Sequence, residues 1–237
     1  MNRRSFLKSL LFIFASFSLK IFPTEKTKTI AFNYGVASGD PTNSNVILWT
    51  KVSGGDLKDK KIIWEVSNQK SFQKILVSGN AKAKFDDNFT VKVDAQIPSN
   101  FNGKKIYYRF SCQGILSDVG TTQTLPIHNP NKFNIAFCSC SNYPAGYFNA
   151  YKEMANDEEI DLVLHLGDYL YEYSREGYAS SDAQKMGRIV NPPNEIISLD
   201  DYRKRYATYR GDKDLQLLHQ SKPMIAVWDD HEITNDT

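Results

Sequence analysis

Cysteine, histidine and net charge are all scarce in this 237-residue chain. Three cysteines, Cys112, Cys138 and Cys140, are too few and too unevenly placed for a disulfide framework. Cys138 and Cys140 sit two apart on an expected strand, where a bridge between such near neighbours is strained, so at least one is expected as a free thiol. Lys plus Arg (29) nearly balance Asp plus Glu (27), a formal charge of +2. That gives no reason to expect a nucleic-acid partner, which would call for a clustered basic face. No apolar run approaches the roughly 20 residues that span a bilayer, so no transmembrane span is expected. At 41% hydrophobic and 24% charged, the remainder has the composition of a folded globular protein.

The longest apolar run, residues 9–19 (SLLFIFASFSL), follows a basic start, Arg3-Arg4-Ser5-Phe6-Leu7-Lys8. A basic n-region before about eleven apolar residues has the form of an export signal. The paired arginines resemble a twin-arginine signal, which is read by the twin-arginine translocase for export of folded proteins. Residues 1–24 are assigned to it, and the expected location is periplasmic or secreted. No small-x-small cleavage site follows Phe22, so the signal is also a candidate tether.

From residue 27 to 126 the pattern is β, with runs at 45–51, 61–66, 90–95 and 105–112 separated by Gly, Asp, Asn and Pro turns. This spacing predicts a β-sandwich of immunoglobulin or fibronectin type, with Trp49 and Trp64 facing its core. The sandwich is expected to fold alone. A short polar linker, 127–132, precedes a change to alternating strand and helix. Residues 133–138, 147–155 and 161–166 form an expected βαβ unit with buried parallel strands, and 224–227 the next strand. Ser198 and Asp201 mark a capping-box start for a helix through Tyr209, whose Tyr202, Tyr206 and Tyr209 form a core stripe. Residues 173–195 are long for a connection and are a candidate lid or substrate loop.

Two strand ends carry the chemistry. Asp168 follows the 161–166 strand within Gly167-Asp168-Tyr169-Leu170-Tyr171, and Asp230 follows the 224–227 strand within Trp228-Asp229-Asp230-His231-Glu232. Beyond the carboxyl ends of parallel strands lies the crevice where ligands bind in open α/β sheets. Asp168 is suited to bridge two metal ions and Asp230 to hold the second. Tyr171 is a phenol that ligates only an ion charged enough to displace its proton, which favours iron(III). Cys140, just past the first strand, offers a thiolate to the same ion. His231 is placed to hydrogen-bond an oxyanion or to protonate a leaving group. Taken singly, a Gly-Asp after a strand is often only a turn. Asp-Asp-His-Glu is rarer, because its anions repel unless cations screen them. His165 is read as a hydrogen-bonded core or supporting histidine, His128 as linker and His219 as helix surface.

Several segments together resemble one family: Phe137-Cys138-Ser139-Cys140-Ser141-Asn142-Tyr143, Leu164-His165-Leu166-Gly167-Asp168-Tyr169-Leu170-Tyr171-Glu172-Tyr173, Val227-Trp228-Asp229-Asp230-His231-Glu232 and, upstream, Gly35-Val36-Ala37-Ser38-Gly39-Asp40-Pro41. The chain resembles the PhoD-type alkaline phosphatase/phosphodiesterase family, related to the purple acid phosphatases. The resemblance implies a multidomain fold: the β-sandwich, then, over 133–237, the first half of a calcineurin-like α/β metallophosphatase sandwich. It also implies an Fe(III)–Ca(II) centre on Cys140, Asp168, Tyr171 and Asp230, with His231 near the phosphate of a phosphate-ester substrate, in the service of phosphate scavenging. Family members continue well past Asp-Asp-His-Glu and supply further ligands there, so this chain alone is expected to be inactive. The rival expectation is an exported surface-binding sandwich joined to a non-catalytic phosphatase remnant.

Overall fold

The computed structural model describes residues 29–237 except Leu57. The signal-like segment 1–24 lies outside the described residues. Among the described residues no helix is long and apolar enough to cross a membrane.

Eight strands come first: β1 (Val36–Gly39), β2 (Asn45–Lys51), β3 (Lys60–Ser67), β4 (Ile75–Ala83), β5 (Thr90–Gln96), β6 (Ile106–Cys112), β7 (Ile115–Leu116) and β8 (Gly120–Thr122). Alternation decides which face each buries. In β2, Val46, Leu48 and Thr50 point inward while the residues between them are half-buried. Val46 and Leu48 join Val36, Ile62, Val66, Val91, Ile106, Tyr108 and Phe110 in one core between two packed sheets. One sheet runs β4-β3-β6-β7, with β8 also on β6. Trp64 packs against this core. Trp49 does not: it lies on the opposite face of β2, where the Arg210 guanidinium sits 4.6 Å from its ring centroid, because the even positions of the strand take the inward face.

The second sheet is where the expectation of a self-contained sandwich changes. Its order is β5-β2-β1-β11-β10-β9, where β9 is Ile135–Cys138, β10 is Leu162–His165 and β11 is Pro223–Ala226. β1 pairs in parallel with β11 through Ser38↔Pro223 and Gly39↔Met224. A Cβ at Gly39 would stand 2.4 Å from the Met224 carbonyl oxygen, so only glycine permits this approach. One sheet therefore runs through both parts of the chain, antiparallel at the β5 end and parallel at the β9 end. Residues 127–132 are an exposed connection, not a break in hydrogen bonding.

Helices α1 (Asn149–Asn156) and α4 (Lys213–Ser221) cover one face of the parallel strands. Val163, Ala136 and Met224, in register on that face, pack with Tyr151, Leu215 and Leu218. The opposite face carries Ile135 and Phe137, which are 41% and 60% exposed. The expected burial of the 133–138 strand on both faces thus fails, because no second layer lies over it among the described residues. Helix α3 (Leu199–Arg210) starts at the expected capping box, with Ser198 accepting from the Asp201 amide and Asp201 accepting from the Ser198 amide. Of its tyrosines only Tyr209 is fully buried. His219 on α4 is buried, not on the surface as expected, because the face of α4 that bears it packs toward Tyr169, whose hydroxyl lies 2.8 Å from Nε2.

The 173–195 segment contains a short helix, α2 (Ala183–Met186), and is anchored rather than free. Buried Arg188 pairs with Asp212 at 2.6 Å and donates to the Tyr143 carbonyl at 2.7 Å. Arg175 Nη2 donates to Asn191 Oδ1 at 2.7 Å.

Candidate metal centre

The ends of β9, β10 and β11 converge because the backbone laces them together. Leu166 donates to the Cys138 carbonyl at 2.8 Å, Ser141 to the Asp168 carbonyl at 2.8 Å, and Val227 to the His165 carbonyl at 3.0 Å. Gly167 takes φ +108°, and a Cβ there would meet the Asp229 Cβ at 2.5 Å, so the two motif loops touch only because this position has no side chain. Cys140 (φ +58°) and Asp168 (φ +53°) both occupy the left-handed region. Non-glycine residues in such conformations cluster at functional sites.

Asp168, Asp230 and His231 each offer one ligand atom, and these atoms lie within 4.8 Å of one another. Asp168 is buried, the other two half-buried. Asp168 Oδ1 also accepts from the His231 amide at 3.4 Å, and Oδ2 accepts from the Tyr171 hydroxyl at 3.2 Å. Burial, then the neighbouring Asp168 and Cys140, hold the Tyr171 phenol well above its ordinary range, so it is protonated here. The Cys140 thiol is exposed beside that phenol but outside the three-residue cluster. The structure thus groups Asp168, Asp230, His231 and Tyr171 closely, with Cys140 at the margin. The donor set of carboxylates, phenol, imidazole and a nearby thiol fits a hard or borderline cation. Its unscreened carboxylates carry negative charge that a cation would balance.

His165 is buried with Nε2 2.9 Å from Ser141 Oγ and 3.0 Å from Tyr151 Oη, in agreement with a supporting, non-ligating reading. Burial holds its pKa down.

Two buried carboxylates went unread in the sequence. Glu232 accepts from the amides of Asp168 (3.1 Å), Tyr169 (2.5 Å) and Asp229 (2.9 Å), clamping both motif loops to one side chain. Glu172 receives His231 Nδ1 at 2.9 Å and the Asn235 amide at 2.9 Å. Arg205, 1% exposed, donates to the Tyr171, Asn191, Pro192 and Asn194 carbonyls and so fixes the chain around Glu172 from below. The sequence marks them only as further acidic residues close to the two motif aspartates. Behind Glu232 lies a cavity of about 1090 Å³ between α3 and β2, lined by Trp49, Lys51, Tyr202, Arg203 and Arg210. None of Cys140, Asp168, Tyr171 or Asp230 lines it, so it is not the centre.

Residues 135–236 match the family described as PhoD-like phosphatase, and residues 18–126 match the PhoD-like phosphatase N-terminal domain. The chain belongs to the PhoD-like phosphatase family. Alkaline phosphatase D of Bacillus subtilis (strain 168) is 42% identical over 216 residues, which are 86% of this chain and 36% of that protein. A solved structure described as the structure of PhoD superposes with a TM-score of 0.79 at 41% identity, over 86% of this chain and 40% of that one. The chain therefore spans little more than a third of the curated PhoD-like relative it matches. The PhoD-like match to 135–236 spans every residue expected at the site: Cys140, Asp168, Tyr171, Asp230 and His231.

Proposed function

We propose that this chain is part of an exported, metal-dependent phosphoesterase of the alkaline phosphatase/phosphodiesterase type that releases phosphate from phosphate esters for scavenging. The observation that carries it is the grouping of Asp168, Asp230 and His231 within 4.8 Å at the ends of β10 and β11. Its centre is proposed as Fe(III) with Ca(II), held by Cys140, Asp168, Tyr171 and Asp230. Cations bound there supply Lewis acidity toward a phosphoryl oxygen. Asp168 would help to hold both cations, its two oxygens facing different partners, His231 N and Tyr171 Oη. Tyr171 reaches ligand form only by giving up a proton that burial and its anionic neighbours otherwise retain. His231 interacts with the phosphate, donating a proton to a developing oxyanion or leaving oxygen. The N-terminal sheets are proposed as an immunoglobulin- or fibronectin-like sandwich and residues 133–237 as the first half of a calcineurin-like sandwich.

Export through the twin-arginine translocase to the periplasm or exterior is supported by Arg3-Arg4 before the apolar run. Metal analysis and p-nitrophenyl phosphate hydrolysis test the chemistry, on the gene product carrying the whole catalytic domain and purified without chelators. Iron and calcium should co-purify and be lost together with turnover in Asp168→Asn. A metal-free preparation without turnover would overturn the reading. For export, replacing Arg3 and Arg4 with Lys should retain the protein in the cytoplasm, and unchanged export would exclude that route.

A further inference from the structure

We propose that Glu172 is a positioning residue for His231: its buried carboxylate accepts the hydrogen bond from Nδ1–H, so that Nε2 is the ring nitrogen left to meet the phosphate and to carry the second proton whenever the ring donates there. The role toward phosphate rests on the phosphoesterase reading; the control of the ring does not. Side-chain exposure is 2% for Glu172 and 12% for His231, so their 2.9 Å contact is shielded from water. Among the described residues Nε2 has no hydrogen-bond partner, whereas Nδ1 has this one. The ring plane is fixed as well. Its centroid lies 4.2 Å from that of Tyr171 at 32° and 5.3 Å from that of Tyr173 at 60°. Tyr173 is in turn tied to Asn235 Oδ1 at 3.1 Å, and the Asn235 amide donates to the other Glu172 oxygen.

The two oxygens of Glu172 thus serve two N–H donors, one of which cannot change. The Asn235 backbone can only donate, while the imidazole can move its proton from one nitrogen to the other. A carboxylate accepts from both. A glutamine has one acceptor and one donor, so its oxygen stays with the Asn235 amide and its NH2 faces Nδ1. The ring must then carry its proton on Nε2. Glu172→Gln, nearly the same in shape, should therefore switch the His231 tautomer with little change in fold.

With only four histidines in the chain, long-range ¹H–¹⁵N correlation spectra resolve each ring. The spectra are recorded on the metal-free chain at a single pH of 8.5, and His231 is assigned by its replacement. The wild type is expected to hold a proton on Nδ1, and Glu172→Gln to hold it on Nε2 with Nδ1 bare. A bare Nδ1 in the wild type would overturn the proposal before any variant is made, and so would an unchanged tautomer in a folded Glu172→Gln. In the complete enzyme Glu172→Gln should lower kcat at least tenfold with KM within about twofold, and add little to His231→Gln. A tautomer switch with kcat unchanged would overturn the positioning role while leaving the metal-dependent reading intact. Absence of turnover in the wild type would instead count against the phosphoesterase reading, with the spectra still deciding the Glu172–His231 arrangement.

Discussion

Cys138 and Cys140, two positions apart, are made chemically different by the turn between them. Cys138 faces the helices with its thiol 3.8 Å from the Leu164 carbonyl, and burial pushes its pKa up to about 11. Cys140 is exposed at φ +58°, beside Tyr171. The thiolate is the reactive form, so a disulfide reagent at pH 8 should modify Cys140 well before Cys138 or buried Cys112. Mass spectrometry of the modified peptide checks this; first modification at Cys138 would reverse the assignment of the ligand. His219 gives the second expectation at this scale. Burial and the neighbouring Arg210 charge hold its pKa well below 6.5. The unfolded chain then binds more protons at mildly acid pH, so His219 favours the fold fully above about pH 6.5 and this contribution is lost as pH falls below it. His219→Gln, which keeps a partner for Tyr169 Oη, should lose less stability between pH 7.5 and 5.5 than the wild type, by about 1 kcal/mol in urea unfolding. Equal losses would place the buried proton site elsewhere.

The β10 and β11 loops are held by Glu232 more than by their own regular structure. Three backbone N–H groups converge on one carboxylate that is 6% exposed. Charge-assisted bonds of this kind are stronger than neutral ones, and an unpaired buried donor is costly. Glu232→Gln turns one acceptor into a donor facing an N–H, at a cost of about 2 kcal/mol. Amide exchange of Tyr169 and Asp229 should accelerate with it, while exchange in β3 and β6 follows only the global change. Unaltered exchange at those two amides would mean that the loops are held by their strands alone. The approach of Asp168 to Asp230 was readable in advance because each follows an apolar strand, and neighbouring parallel strands bring their carboxyl ends together. Glu172 and Glu232 were harder, since a carboxylate that serves backbone amides has no spacing rule of its own. Among the elements, β2, β5 and β6 stood out by alternation, and α3 by its cap. β4 was missed: its outward residues are polar and Gly79, over which Trp64 lies, interrupts the pattern.

Long-range pairing leaves the faintest trace in a sequence, and the β1–β11 ladder is such a case. Val36–Gly39 carries no mark that its partner is Pro223–Ala226, nearly two hundred residues on, and alternation within each strand is the same whichever neighbour it takes. This pairing decides how the molecule divides. Around it, Arg210 Nη2 donates to the Tyr34 carbonyl at 3.1 Å, Gln216 Nε2 to the Asn33 carbonyl at 2.9 Å, and Gln220 Nε2 to the Val119 carbonyl at 2.8 Å. Gln123 reaches back to Asp161 at 3.2 Å. These bonds are partly buried and do not involve residues 127–132, all of which are exposed. A protease site placed at 128–131 should therefore be cut readily, yet the two pieces should co-elute on gel filtration and unfold in one transition. A sandwich fragment of about 100 residues that separates without denaturant would show that the shared sheet is too weak to bind the two parts, and would restore the picture of a sandwich folding on its own. The exposed Ile135 and Phe137 bear on the same test. Lys at Phe137 should remove the apolar edge without touching the β1–β11 ladder, so in the nicked Phe137→Lys chain co-elution must persist if the ladder, and not clustering of the exposed apolar face, holds the pieces together.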